Sequence, residues 1–389
     1  MKSFVDRGLT RHLREVGQYF PIISLTGPRQ AGKTTLLREM YPDYKYVSFE
    51  NPKIDAAFKE DPEAFLNAYN QYVIFDEAQN VPDLFSYLQG MVDDQRTPSR
   101  FILSGSQNFL LRKNITQSLA GRVVPLTLFP LDQSELTNSN RLSEYRNDAI
   151  FRGGYPGLEI ASIPPGVFYG AYLQTYIERD VQGLIDSTNL TTFKIFLKVC
   201  ASFSGQLMNY SSISKAVGVS VPTVKSWLSI LEQSYLIFTL VPYFKNFKKR
   251  LVKSPKLYFY DTGLLCYLLD IESPEMLGKH VASGAIFENY VVSEVHKMNV
   301  HRGKENKFYF YRDSTKLEVD LVEDRAFKAK LWEIKSALEV DTRQVNNLAL
   351  VARNFDQLIQ KGIIYGGGIS EYREGIQVLA WNDLKAMLD

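Results

Sequence analysis

The densest chemical signal in the sequence is the run Gly27-Pro28-Arg29-Gln30-Ala31-Gly32-Lys33-Thr34, followed by Thr35. Its glycines let the chain curl so that successive backbone N–H groups face one anion; the lysine then neutralises that anion and the hydroxyl can ligate a divalent cation. The helical TLLREMY that follows adds the positive end of its dipole. This pattern predicts a phosphate cradle for ATP or a close relative, with Lys33 on the β- and γ-phosphates and Thr34 on Mg2+.

Downstream, Tyr72-Val73-Ile74-Phe75-Asp76-Glu77 is an apolar run ending in two acids. Asp76 is expected in the Mg2+ shell, and Glu77 is expected to orient and deprotonate a water. A third run, Phe101-Ile102-Leu103-Ser104-Gly105-Ser106-Gln107-Asn108, ends in small polar groups that could sense a γ-phosphate, Ser106 ahead of Asn108. Phosphoryl transfer gains from an arginine near the transferred group. Arg122 is the first candidate, with Arg100 and Arg152 behind it; an arginine acting in trans requires self-association.

Two further constellations lie C-terminal to these. Ser211 to Gly218 reads as a short helix and Ser220 as the N-cap of a second, whose Val224, Trp227, Leu228 and Leu231 make one buried stripe. Thr223, Lys225, Ser226 and Ser229 are expected to face outward. Two strand-like runs follow, separated by a segment carrying Lys245, Lys248, Lys249, Arg250 and Lys253, which resembles the wing of a winged-helix domain. With Lys225, these cations suit DNA phosphates; packing or protein contacts are the other reading. In the last third, Glu318-Val319-Asp320 and Glu333-Ile334-Lys335 lie on successive strand-like runs, so alternation puts each pair on one face. Asp320 and Glu333, with Glu288 from the preceding helix and Lys335 beside them, could hold a second Mg2+ or Mn2+ and activate water. Two ordinary amphipathic strands are the alternative.

The elements that must position these groups divide into three stretches. Residues 1–150 alternate β-rich runs (PIISLT, YKYVSF, YVIFD, RFILSG, RVVPLTLF) with helical segments, the mark of a parallel sheet covered by helices on both faces. Residues 151–275, opening on RGGYPG, are mainly helical. Residues 276–389 read as a helix, GAIFENYVVSEVHKM, then strands KFYFYRD, LEVDLVE and KAKLWEIKS, then another helix, an α/β arrangement.

The bulk numbers bound the possibilities. A chain of 389 residues is too long for one core, and 45 basic against 43 acidic residues leave a net charge of +2, so any nucleic-acid surface is local. Cys200 and Cys266 stand apart, and His12, His280, His296 and His301 lack ligand spacing, so neither a disulfide framework nor zinc is expected. The charged N-terminus lacks an apolar signal region, and no apolar run is long enough to cross a bilayer. A cytoplasmic protein with no membrane partner is expected.

The order of GPRQAGKTT, VIFDEAQ, LSGSQN, LAGRV, RGGYP, YFYDTGLL, FENYV, EVD and EIK closely resembles a prokaryotic family of AAA-type P-loop ATPases with a C-terminal domain of unknown function. The resemblance implies an AAA-like sheet in which the sensor strand, Phe101 to Asn108, lies between the strand before the P-loop and the Walker B strand that ends in Asp76-Glu77. It also implies a restriction-endonuclease-like C-terminal domain similar to the PD-(D/E)xK nucleases. There Asp320 matches the first acid, and Glu333 with Lys335 the second acid and lysine. The reading that follows is a Mg2+-dependent ATPase coupled to DNA engagement, with or without cleavage. A nucleotide-switched regulatory or protein-interaction ATPase stands beside it.

Overall fold

Five short apolar runs build the N-terminal sheet. β1 (Ile22–Thr26), β2 (Lys45–Ser48), β3 (Val73–Asp76), β4 (Phe101–Gly105) and β5 (Val123–Thr127) pair in the order β2-β3-β4-β1-β5, and every pairing is parallel. These strands are apolar on both sides because helices cover both faces. Ile23, Leu25, Ile74 and Ile102 pack with Leu13, Leu36 and Leu37 on one face; Ile22, Phe75, Phe101 and Leu103 pack with Phe58, Leu84 and Leu88 on the other. β4 lies between β1 and β3, as the family resemblance implied. In the computed structural model the described residues are 4–106, 118–181, 184–185, 189–243, 254–304, 306–313, 317–325, 328–355, 357–373 and 375–388.

The middle stretch is helical, with one small sheet. Helix Tyr210–Val217 stops at Gly218, whose φ of 79° suits a residue without Cβ. Ser220 then caps helix Val221–Gln233 by accepting from the Thr223 N–H. Val224, Trp227, Leu228 and Leu231 are all buried, with the Trp227 ring edge-on to Phe193 and Phe196. β6 (Ile237–Leu240) and β7 (Lys256–Phe259) follow as an antiparallel pair. Between them, Lys245, Lys248, Lys249, Arg250 and Lys253 lie outside the described residues, as does Asn108.

The last stretch sets helix Ser283–His301 against a six-stranded sheet. β8 (Lys307–Arg312), β9 (Glu318–Arg325), β10 (Lys328–Lys335), β11 (Leu358–Tyr365), β12 (Glu371–Arg373) and β13 (Ile376–Ala380) pair in the order β12-β13-β11-β10-β9-β8. β8, β9 and β10 are antiparallel neighbours, and β11 joins β10 in parallel after helix Thr342–Ala352. One apolar core runs from Phe129 through the middle helices into this domain, including Tyr290, Val295, Leu321, Trp332 and Leu388. Among the described residues no helix is long and apolar enough to cross a membrane.

Candidate functional site

Three loops leave the carboxyl edge of the first sheet side by side, the place where open α/β sheets bind ligands. After β1 the chain turns through Gly27 (φ 148°), Gln30 (φ 60°) and Gly32 (φ 94°) into helix Lys33–Met40. A Cβ on Gly27 would collide with the Leu128 carbonyl, so only glycine fits. The Lys33 ammonium is buried and donates to the Gly27 and Pro28 carbonyls at 2.9 and 2.8 Å. Burial lowers its pKa to about 8, against the pull of Glu77 and Asp76.

Asp76, at the end of β3, is the hub of the polar groups. It accepts from Thr34 Oγ1 at 3.1 Å and from the Glu77 N–H at 3.2 Å. Tyr46 and Ser104 also hydrogen-bond to it. Burial and Asp76 hold the Tyr46 pKa up at about 12, so Tyr46 stays the donor. The next residue, Glu77, takes the left-handed conformation with φ 52° and ψ 41°. A side chain held there costs of order 1–3 kcal/mol, and such strain clusters at working sites. Ser106 Oγ donates to Glu77 Oε2 at 3.3 Å, and Gln79 bonds the same oxygen. Lys33, Thr34, Asp76, Glu77 and Ser106 thus come together. A glycine-only cradle, a buried lysine and the adjoining Thr34 and Asp76 oxygens fit a nucleoside triphosphate with Mg2+.

The expected arginine is elsewhere. Arg122 precedes β5 and is paired with Asp93 through two contacts of 2.7 Å. Its carbonyl accepts from the Ile22 N–H at the start of β1, so the length of that strand, about 16 Å, separates it from the cradle of its own chain. Arg100 caps carbonyls of Asn70, Met91 and Gln95, and Arg152 binds Glu159. The arginine at the site is Arg29 of the cradle. Its Nε and Nη2 clamp Asp180 at 2.8–3.0 Å, and Asp180 sits on the π-helical turn Ile177–Val181 of the middle stretch. Arg7 supports the loop from below, donating to the Ala31 and Phe129 carbonyls and to Glu135. Tyr46, Gln79, Ser104, Arg7 and Asp180 were not singled out from sequence. Gln79, two residues after Glu77, and Ser104, within the third polar-ended run, carried a local signal; the others arrive through tertiary contacts.

The second constellation also assembles. β9 carries a bulge: Tyr309 opposes Val322 and Tyr311 opposes Val319, so Asp320 and Leu321 together face Phe310. The freed Phe310 backbone bonds instead to Val241 and Tyr243 of the middle stretch. Asp320 accepts from the Ile334 N–H at 2.8 Å. Lys335 lies 2.5 Å from Glu333 and 3.8 Å from Asp320. Into this group comes a cation that sequence reasoning passed over, Lys256 of β7. Its Nζ lies 2.9 Å from Glu288, 2.6 Å from Glu318 and 3.7 Å from Asp320.

Burial and the neighbouring Asp320 push Glu288 and Glu333 up to about 7. Among the described residues, the group of acids and histidines whose ligand atoms could meet at one ion is a different one, Asp132, Glu135 and His301. There the Phe129 N–H occupies His301 Nε2, leaving Nδ1–H to Asp132 at 2.8 Å, and Arg7 holds Glu135. It is a satisfied hydrogen-bond network. Lys225 is exposed, its ammonium over the Tyr210 ring at 5.3 Å.

A parallel sheet of this order with a glycine-cradled lysine and a paired threonine and aspartate defines a P-loop ATPase of the AAA type. The family described as "AAA domain" matches residues 19–137; two domains of unknown function, DUF8612 and DUF4143, match 143–275 and 283–384. The chain belongs to the family of the uncharacterized protein Rv2008c of Mycobacterium tuberculosis, to which it is 31% identical over 365 residues, 93% of this chain and 80% of that one. An uncharacterized protein of Haemophilus influenzae is 23% identical over 92% of this chain and 93% of its own. Among solved structures, the Walker-type ATPase PABY2304 of Pyrococcus abyssi aligns at 16% identity and a TM-score of 0.44, covering 68% of this chain and 96% of its own.

Proposed function

We propose that this protein is a Mg2+-dependent ATP hydrolase whose nucleotide state is passed to its middle and C-terminal domains and, through them, to DNA. The observation that carries the hydrolase reading is the convergence of Lys33, the Thr34–Asp76 pair and the Ser106–Glu77 pair on one sheet edge. Lys33 and the helix N-terminus hold the phosphates. Thr34 and Asp76 hold Mg2+, which neutralises phosphate charge. Glu77, held through Oε2 by Gln79 and Ser106, takes the proton of the attacking water. Lys33→Ala is expected to abolish ATP binding, whereas Glu77→Gln keeps binding and stops turnover. Steady-state hydrolysis with fluorescent-nucleotide titration checks both, and wild-type turnover by Glu77→Gln would sink the assignment of the base.

DNA engagement is proposed through the outward face of helix Val221–Gln233, with Lys225, and through the C-terminal domain. Duplex binding measured by polarisation should weaken steeply with salt, because phosphate contacts release counterions. A neighbouring copy is the remaining way for Arg122 to reach a cradle, so turnover per chain that is independent of concentration would remove it from the chemistry. A second reading, a nucleotide-switched regulatory ATPase that does not cut, is favoured by Lys256 standing among the C-terminal acids. Nicking with Mg2+ or Mn2+ that Glu333→Ala and Lys335→Ala abolish would decide against it.

A further inference from the structure

The acids that resemble a nuclease centre already surround a cation. The Lys256 side chain is 5% exposed and reaches Glu288, Glu318 and Asp320 together. Tyr258 Oη donates to the same Glu288 oxygen at 2.7 Å, and Arg312 lies 3.4 Å from Glu318. With Lys335 on Glu333 and Asp320, the four carboxylates Glu288, Glu318, Asp320 and Glu333 meet the three cations Lys256, Lys335 and Arg312. Even with every carboxylate ionised the set carries only −1, so a divalent ion added to it would leave an excess of +1 in a largely buried place, where unpaired charge is costly.

The lysine is also held in position. Its backbone pairs with Leu240 in the β6–β7 ladder and bridges Leu207 on the other side. Those contacts belong to the middle domain, whereas Glu288, Glu318 and Asp320 belong to the C-terminal one. The cluster is therefore closed across a domain boundary, beside the place where Val241 and Tyr243 bond Phe310.

We propose that Lys256 is a resident cation that occupies the metal position of the C-terminal acidic cluster, excludes a divalent ion there, and ties the middle stretch to the C-terminal one. This rests on reading the cluster as a nuclease-like centre. A metal-dependent step there requires Lys256 to leave the acids, which its place in the β6–β7 ladder opposes.

The test is Mn2+ binding to the full chain without nucleotide, followed by electron paramagnetic resonance for wild type, Asp320→Asn, Lys256→Met and Lys256→Met/Asp320→Asn. The wild type should show no Mn2+ that Asp320→Asn removes. Lys256→Met should gain one ion per chain, at least about tenfold tighter than wild type, and lose it in the double variant. Lys256→Gln serves if the methionine variant fails to fold, and Lys256→Arg should still exclude the ion. Wild-type binding that depends on Asp320 overturns the exclusion and leaves the nuclease-like reading standing. Folded Lys256→Met and Lys256→Gln proteins that gain no ion overturn the proposal together with that reading.

Discussion

At the scale of single residues, Lys33 makes a prediction of its own. Burial brings its pKa down to about 8, and phosphate oxygens favour the ammonium over the amine, so ATP raises that pKa and binding takes up a proton wherever the free protein has lost it. Below pH 8 the free lysine is already charged and affinity is flat in this respect. Above about pH 8, affinity is expected to fall with rising pH, with a limiting slope of about tenfold per unit. Calorimetric titration in buffers of different ionisation enthalpy should show proton uptake at pH 8.5 and little at pH 7. An affinity that is constant from pH 7 to 9.5 would mean that Lys33 stays fully charged in its pocket.

At the scale of elements, the π-helical turn Ile177–Val181 is the nearest thing the site has to a lever. Asp180 on that turn is clamped by Arg29, while Arg179 beside it reaches Glu50 at 3.3 Å. A movement of the cradle that shifts Arg29 therefore shifts the end of helix Pro165–Tyr176. Asp180→Ala leaves a half-buried guanidinium with only the looser Glu50, 4.0 Å away, so we expect a raised KM for ATP and a lower melting temperature, with Asp180→Glu restoring most of both. An unchanged KM in the alanine variant would mean that the turn supports the fold without sensing the nucleotide. This element also marks where sequence reading stops. β1, β3 and β4 were legible because each is an apolar run whose last polar residue has a chemical reason to be there. Asp180 and Lys256 were not, since their meaning lies in partners 151 and 32 to 64 positions away. β11 was missed for a related reason. Gln360, Lys361 and Gly362 interrupt its apolar run, and the glycine is needed because a Cβ would collide with the Trp332 ring on β10.

At the scale of the whole molecule, the boundary near residue 275 separates two sequence families but not two cores. Helix Ser283–His301 buries Ile286, Phe287, Tyr290, Val291, Val292, Val295 and Met298 in the same apolar cluster as Tyr169, Phe196, Leu264 and Ile271 of the middle stretch. At about 1.5–3 kcal/mol for each large side chain buried, those contacts are comparable with the roughly 5–15 kcal/mol that holds a whole domain folded. Polar contacts tie the N-terminal stretch to the same part: Lys297 donates to the Leu131 carbonyl and Gln133 donates to Tyr290 and to the Trp381 carbonyl. A fragment ending at residue 275 is therefore expected to expose Leu264, Leu268 and Ile271 and to aggregate rather than fold. In the full chain, hydrogen exchange across a urea series should show helices Pro165–Tyr176 and Ser283–His301 losing protection at the same concentration. Earlier opening of Ser283–His301, with Pro165–Tyr176 still protected, would show that the two parts are separable. The tie through Lys256 would then have to act between bodies that already move apart on their own.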